Sequence, residues 1–429
     1  MPFQIIHIKH FIGSRYWILF LWIFPLGTFG QTANIPFPHH TQYSVGSIKP
    51  DTNSQAQMDS SVEQFYTKWK KHYIRYTKDK RGAYVYCNAD GLWRGGNKSA
   101  NSVSLSEGHG YGMMIMVLMA GFDADAHDIF DKMAQYFKSH PSNINHHLMA
   151  WDQTADSVIN EHNSDDATDG DMDIAYAFLM ADKQWGSEGK YNYLQEAKDI
   201  INALKQTNLN PETHTMIMGD FTEKGEPYYN DTRTSDFIPG HFRAFAKATG
   251  DTSWTRALNK GYKLLAFMQK RYSANTGLFP DFIRNCNKIP KPAGPYFIEK
   301  KIDGDYSYNA CRIPWRLASD YLVSGDKRDA ALLAPINKWI TNRTKNDPEK
   351  IRDGYNLDGK PILGASGDNI VFIGPFGVGA MIDKKNQVFV NRIWYYATHE
   401  VMSDEEYYGN TVKLLCMIVM SGNWWEYGH

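Results

Sequence analysis

Ser104-Leu-Ser-Glu107-Gly-His-Gly-Tyr-Gly-Met113-Met-Ile-Met-Val-Leu-Met-Ala120 sets one acid, Glu107, ahead of a long apolar run. Ser106 is a candidate N-cap, and Glu107 falls in the first turn, where the helix dipole favours a negative charge. Met113 to Ala120 are apolar on every side, so the stretch predicts a buried helix. Gly108, Gly110 and Gly112 take side-chain bulk away from beside the carboxylate, an arrangement that admits a large ligand. A lone first-turn Glu is explained by the stability of its own helix; the rest of the chain gives this one a second purpose.

Apolar spacing of three and four continues through the chain. It predicts helices near 61–77, 107–121, 126–138, 171–184, 190–205, 235–248, 252–271, 310–324, 328–343, 369–382, 386–400 and 404–420. Those at 107–121, 171–181 and 369–380 are apolar all round, whereas 126–138 and 190–205 keep one polar face. Buried and half-exposed helices in alternation suit two concentric layers of helix pairs, an all-α (α/α)6 barrel in a single domain over 61–429.

Composition narrows the partners. Lys and Arg total 46 against 47 Asp and Glu, so no net field draws in nucleic acid or an anionic membrane surface. The 12 Trp and 26 Tyr exceed what a core alone requires and suit a groove that stacks on flat apolar ligand faces, of which a sugar-binding cleft is one kind. Residues 1–30 read as a secretory signal: Lys9, His10 and Arg15, then the apolar Tyr16 to Phe24, then Thr28-Phe29-Gly30. Residues 31–60, rich in Pro, Ser, Thr and Gln, read as a flexible linker. A secreted or periplasmic monomer with no membrane segment after signal removal is expected. Cys87, Cys286, Cys311 and Cys416 lack zinc spacing, and one disulfide is open to them.

Polar clusters stand at the starts of buried helices. The first is Glu107 with His109 and Tyr111. The second, Ala167-Thr-Asp169-Gly-Asp171-Met-Asp173, puts three carboxylates into one helix entrance. The third runs from Tyr296 through Glu299, Asp303 and Asp305 to Tyr308, Asn309, Arg312, Trp315 and Arg316. Capping explains one such entrance, not three. The second could be a calcium loop, but Gly170 and Met172 break the spacing and no Glu closes it. Arg312 and Arg316, one turn apart, could pair with Asp305 or with the Asp169 cluster. His109, His146 and His147 have no metal-ligand spacing and read as structural. No metal and no cofactor is expected.

The motifs Ser-Glu-Gly-His-Gly-Tyr-Gly-Met at 106–113, Ala-Thr-Asp-Gly-Asp-Met-Asp-Ile-Ala-Tyr-Ala at 167–177 and Tyr-Asn-Ala-Cys-Arg-Ile-Pro-Trp-Arg at 308–316 resemble glycoside hydrolase family 8. Leu-Met-Ala-Trp at 148–151, Ser-Asp-Phe-Ile-Pro-Gly-His-Phe-Arg at 235–243 and Gly-Pro-Phe-Gly-Val at 374–378 agree in order. The resemblance implies an (α/α)6 barrel that hydrolyses internal β-1,4 bonds of cellulose, mixed-linkage glucan, chitosan or xylan with inversion. It implies Glu107 as proton donor, Asp169 as its catalytic partner, holding the hydroxyls of the distorted sugar, and Trp93, Tyr111, Trp151, Asp236, Tyr308, Asn309, Arg312 and Trp315 around the polysaccharide.

An inverting glycosidase needs one protonated carboxyl and, about 6.5 to 9.5 Å away, a carboxylate that activates water. In one branch of the family the base is an Asp directly after the motif Tyr. Here that residue is Asn309, whose amide cannot take a proton from water. By resemblance to the chitosanase and lichenase branch the base is Glu299 in the loop upstream; Asp303 and Asp305 are its competitors and could equally be solvated turn residues. A non-catalytic polysaccharide-binding protein is the alternative that Asn309 raises.

Overall fold

The computed structural model describes residues 32–90, 102–153, 165–367 and 369–428. Residues 1–30, read as a signal, lie outside them. Among the described residues are α1 (Gln55–Tyr73), α2 (Ser106–Leu118), α3 (Ala126–Lys138), α4 (Thr168–Trp185), α5 (Tyr193–Thr207) and α6 (Pro239–Thr249). The chain continues with α7 (Thr252–Tyr272), α8 (Ile313–Ser324), α9 (Lys327–Thr344), α10 (Ile370–Ala380), α11 (Gln387–His399) and α12 (Tyr407–Met420). Every helix expected from periodicity is present. None of the described helices is long and apolar enough to cross a membrane.

The even-numbered helices pack in a closed ring, α2 on α4, α4 on α6, α6 on α8, α8 on α10, α10 on α12, and α12 back on α2. The odd-numbered helices lie outside them, so the architecture is an (α/α)6 barrel. Every residue of α10 and α12 is buried, which is why their sequences show no polar stripe. Outer helices α5, α7 and α9 begin on side-chain caps, Asn192, Asp251 and Asp326, and bury one face each.

Among the described residues seven short strands trim the loops: β1 (Ile74–Tyr76), β2 (Ala83–Val85), β3 (Ser104–Leu105), β4 (Asp152–Gln153), β5 (Thr232–Arg233), β6 (Phe282–Arg284) and β7 (Lys291–Pro292). β3 pairs antiparallel with β4, Leu105 opposite Asp152, and this pairing rather than a cap launches α2. Ser106 is accordingly not the N-cap. It is the first helical residue, its N–H goes to the Trp151 carbonyl at 3.0 Å, and Leu105 precedes it without a side-chain cap.

The glycines of α2 also serve a different end from the one expected. A Cβ on Gly110 would stand 2.7 Å from the Asp173 Cβ, and one on Gly112 would stand 2.5 Å from Val85. They let α2 press against α4 and β2, and the room they create is filled by protein.

Residues 32–54 are not a flexible linker. They form a strap across the barrel end where the inner helices finish. Asn34 N–H bonds the Gln184 carbonyl at 3.0 Å, Phe37 that of Ala120 at 2.7 Å, Thr41 that of Gly422 at 2.8 Å, Ser44 that of Leu322 at 2.7 Å and Ile48 that of Met381 at 2.8 Å. These carbonyls end or follow α4, α2, α12, α8 and α10, and a helix end buried without partners is costly. Composition suggested disorder because the strap's hydrogen bonds go to distant backbone, which leaves no periodic trace. All four cysteines are free and buried.

Candidate active site

The N-termini of the inner ring meet at the other end of the barrel, and the acid-rich motifs sit there. Glu107 lies in the first turn of α2, Asp169 and Asp171 in that of α4, Asp236 just before α6, and Arg312 just before α8. No side chain caps α2, α4, α6, α8 or α12, so their N–H dipoles face this end of the barrel.

Arg312 is the hub. It is 1% exposed, and its donors are distributed over five residues. Nη1 serves the Glu107 carboxylate, Asp169 Oδ2 at 2.7 Å and the Tyr111 hydroxyl at 3.2 Å. Nη2 donates to Ser235 Oγ at 2.8 Å and to Asn309 Oδ1 at 3.0 Å, and Nε to the Asn309 carbonyl at 3.3 Å. With Asn309 Oδ1 committed to Arg312, its Nδ2 turns to Glu299 Oε2 at 3.2 Å. One guanidinium and one amide therefore link Glu107 to Glu299.

The carboxyls differ in charge. Burial pushes Glu107 up to about 7 against the pull of Arg312, with Asp169 adding to the push. Its side chain is still 20% exposed, so it is a carboxyl that holds a proton near neutrality within reach of a ligand. Burial acts on Asp169 too, but Arg233 and Arg312 outweigh it and hold the group down at about 2. Asp236 is pushed up to about 8 by burial, although Arg233 Nε stands 3.3 Å from it. Beneath them Asp173 bridges His241 at 2.8 Å and Arg316 at 2.5 Å, and Arg316 lies 4.1 Å over the Trp315 ring.

Several residues expected around the ligand stand behind the site instead. Trp315 and Tyr111 are fully buried, their rings 5.8 Å apart edge to face, and Asp236 is equally closed off. Motif residues at the root of a buried helix face the core, so Tyr111 and Trp315 brace Arg312 and Arg316, Asp236 pairs with Arg233, and none of the three meets solvent. Trp151 and Tyr308 are half-buried. The Trp151 carbonyl receives the first N–H of α2, while the Tyr308 hydroxyl donates to Asp353 at 3.2 Å and accepts from Asn369 at 3.1 Å. Trp93 lies outside the described residues.

Glu299 is exposed. Its competitors are occupied: Asp303 is buried and accepts the N–H groups of Ile298, Glu299 and Lys300, and Asp305 takes the Asn356 amide at 3.0 Å. Asp303 is thus no solvated turn residue. Sequence reading missed Arg233, Ser235 and Asp281. Asp281 Oδ1 accepts from Ser307 N at 3.0 Å and Ala310 N at 2.7 Å, fixing the turn that carries Asn309. Arg233 and Asp281 lie outside the periodic stretches, and Ser235 opens the 235–243 motif that Arg233 precedes, which was the signal for those two. Among the described residues no three His, Cys, Asp or Glu side chains are grouped to hold a metal.

Comparison with known proteins places this arrangement. The profile of glycosyl hydrolases family 8 matches residues 35–422. The chain is 44% identical to a β-glucanase of Niallia circulans over 92% of each protein. It is 37% identical to an endoglucanase of Bacillus sp. (strain KSM-330), covering 91% of this chain and 82% of that one. The apo structure of a β-1,3-1,4-glucanase from Paenibacillus sp. X4 superposes with a TM-score of 0.85 at 44% identity, over 92% of this chain and 100% of that one. A reducing end xylose-releasing exo-oligoxylanase, 17% identical, shares the fold with a TM-score of 0.68 over 91% of this chain and 98% of that one. A profile match across nearly the whole barrel, with the acid-bearing helix entrances inside it, means that this chain belongs to glycoside hydrolase family 8.

Proposed function

We propose that this enzyme hydrolyses internal β-1,4 bonds of a β-glucan, mixed-linkage glucan foremost, with inversion at the anomeric carbon. The observation that carries the reading is the Glu107–Arg312–Asn309–Glu299 chain, which ties a proton-holding carboxyl to an exposed carboxylate. Glu107 gives its proton to the leaving glycosidic oxygen, and Arg312 stabilises the carboxylate that remains. A water oxygen bonds to the opposite face of the anomeric carbon, and its proton passes to Glu299. Asp169, kept ionised by two arginines, holds sugar hydroxyls beside the breaking bond. Asn309 aims Glu299 without acting as a base, since both ends of its amide are engaged.

Charge favours a neutral polymer over chitosan. Polymeric ammonium calls for free carboxylates, but Asp169 is matched by arginines, Glu107 and Asp236 hold protons near neutrality, and Lys300 and Lys301 follow Glu299 directly. The names of the 44% identical relatives point the same way. The test is a parallel digest of mixed-linkage β-glucan, carboxymethyl cellulose, chitosan and xylan by the parent and by Glu299→Ala. The parent should release reducing ends fastest from β-glucan; the variant should lose on the order of 10²-fold to 10⁴-fold, with azide restoring part by attack on the vacated face. Chitosan as the best substrate would overturn the specificity, no release from any polymer would favour a binding protein, and an active Glu299→Ala would remove the base.

A further inference from the structure

The loop that carries Glu299 is exposed at its tip and locked at its root. Asp303 is 1% exposed, and its carboxylate collects three successive backbone N–H groups: Ile298 at 2.8 Å, Glu299 at 3.0 Å and Lys300 at 2.7 Å. Three converging amides form an anion-binding concavity, and here the anion is supplied by the loop itself. The root is tied down further. The Asp303 carbonyl accepts Phe282 N from β6 at 3.0 Å, and a Cβ on Gly304 would lie 2.2 Å from the Ala293 carbonyl oxygen. Phe297 is wedged between Tyr228, with ring centroids 5.2 Å apart, and Arg284, 4.7 Å over its face. Tyr296, 72% exposed, has φ at 55°, and its N–H closes on the Lys300 carbonyl at 2.8 Å.

The side chain of Glu299, by contrast, has among the described residues one hydrogen bond, from the Asn309 amide. A carboxylate that must meet one water at one face of a sugar cannot be aimed by one hydrogen bond if its backbone wanders, and loss of near-attack geometry by about 1 Å can cost about 10²-fold. We infer that Asp303 is the positioning residue of the base: its carboxylate cages the 298–300 backbone so that Glu299, freely exposed, is held at the reacting face. The inference rests on Glu299 as base, and it assigns Asp303 a duty distinct from proton transfer.

The test uses the full chain on β-glucan, with Asp303→Ala, Asp303→Asn and Glu299→Ala assayed together for kcat, KM, thermal midpoint and azide response. Asp303→Ala should lower kcat on the order of 10-fold to 100-fold with KM nearly unchanged, and azide should not restore it because the Glu299 carboxylate is still present. Asp303→Asn keeps one acceptor oxygen and should recover part of the loss. A parental kcat in Asp303→Ala beside an inactive Glu299→Ala would overturn the cage and leave the base standing. A loss that merely tracks the unfolded fraction would also overturn it. Azide rescue of Asp303→Ala would make Asp303 the base itself, and an active Glu299→Ala would remove the base and the cage together.

Discussion

Glu107 and Asp169 touch the same guanidinium nitrogen yet move in opposite directions, Glu107 up to about 7 and Asp169 down to about 2. Burial raises both; Arg233, whose Nη1 stands 3.4 Å from Asp169, lowers Asp169 most strongly and acts less on Glu107. Arg312 and Arg233 pull on Glu107 as well but do not offset its desolvation, to which the Asp169 and Asp173 charges add, whereas Arg233, Arg312 and Arg316 more than offset that of Asp169. The sign for activity follows. Because the protonated form of Glu107 is the donor, turnover should be full below about 7 on this limb and should fall as pH rises through it. Glu107→Gln, which keeps the shape and removes the proton, should lose on the order of 10²-fold to 10⁴-fold in kcat while still binding polymer. A pH–kcat profile with no alkaline limb in the parent, or parental turnover in the variant, would show that the proton comes from elsewhere. At this scale the sequence marked Glu107 and Asp169 as acids at the entrances of buried helices, where the structure has them, while the roles proposed for them came from the resemblance. Arg233 and Asp281 were not marked, because they act across distances that local pattern does not encode.

Among the elements, the strap shows where sequence reading fails. Residues 32–54 carry no period because their partners are carbonyls that end or follow five inner helices. Phe37, 5% exposed, pins the strap beside Phe122 at a ring-centroid distance of 6.3 Å. Phe37→Ala should cost about 3–5 kcal/mol, read as a lower denaturant midpoint. The specific activity of the protein that remains folded should be unchanged, because strap and site occupy opposite ends of the inner helices. A variant as stable as the parent would show that the strap is not part of the folding unit. The glycines of α2 make the related point that small residues beside an acid can mean close helix packing as readily as ligand room: Gly110 meets α4, and Gly112 meets Val85 and Met133.

For the whole molecule, the alternation of all-apolar and half-polar helices was enough to reach the barrel, because an inner ring must be buried on all sides while an outer ring need not. Nothing local marked which motif residues face the ligand. Tyr111 and Trp315 share motifs with Glu107 and Arg312, yet they pack behind them, as Asp236 of the 235–243 motif does, since successive residues at a helix root point to different sides of the wall. The shape that results sets a proton-holding carboxyl and an exposed carboxylate on one barrel end, bridged by Arg312 and Asn309. The central claim is that these two carboxyls act on opposite faces of one sugar. Proton NMR of mixed-linkage β-glucan during the first minutes of hydrolysis, before mutarotation, tests it directly. The α-anomer of the new reducing end should appear first and the β-anomer grow in later, whereas initial release of the β-anomer would mean retention and contradict the pairing of Glu107 with Glu299.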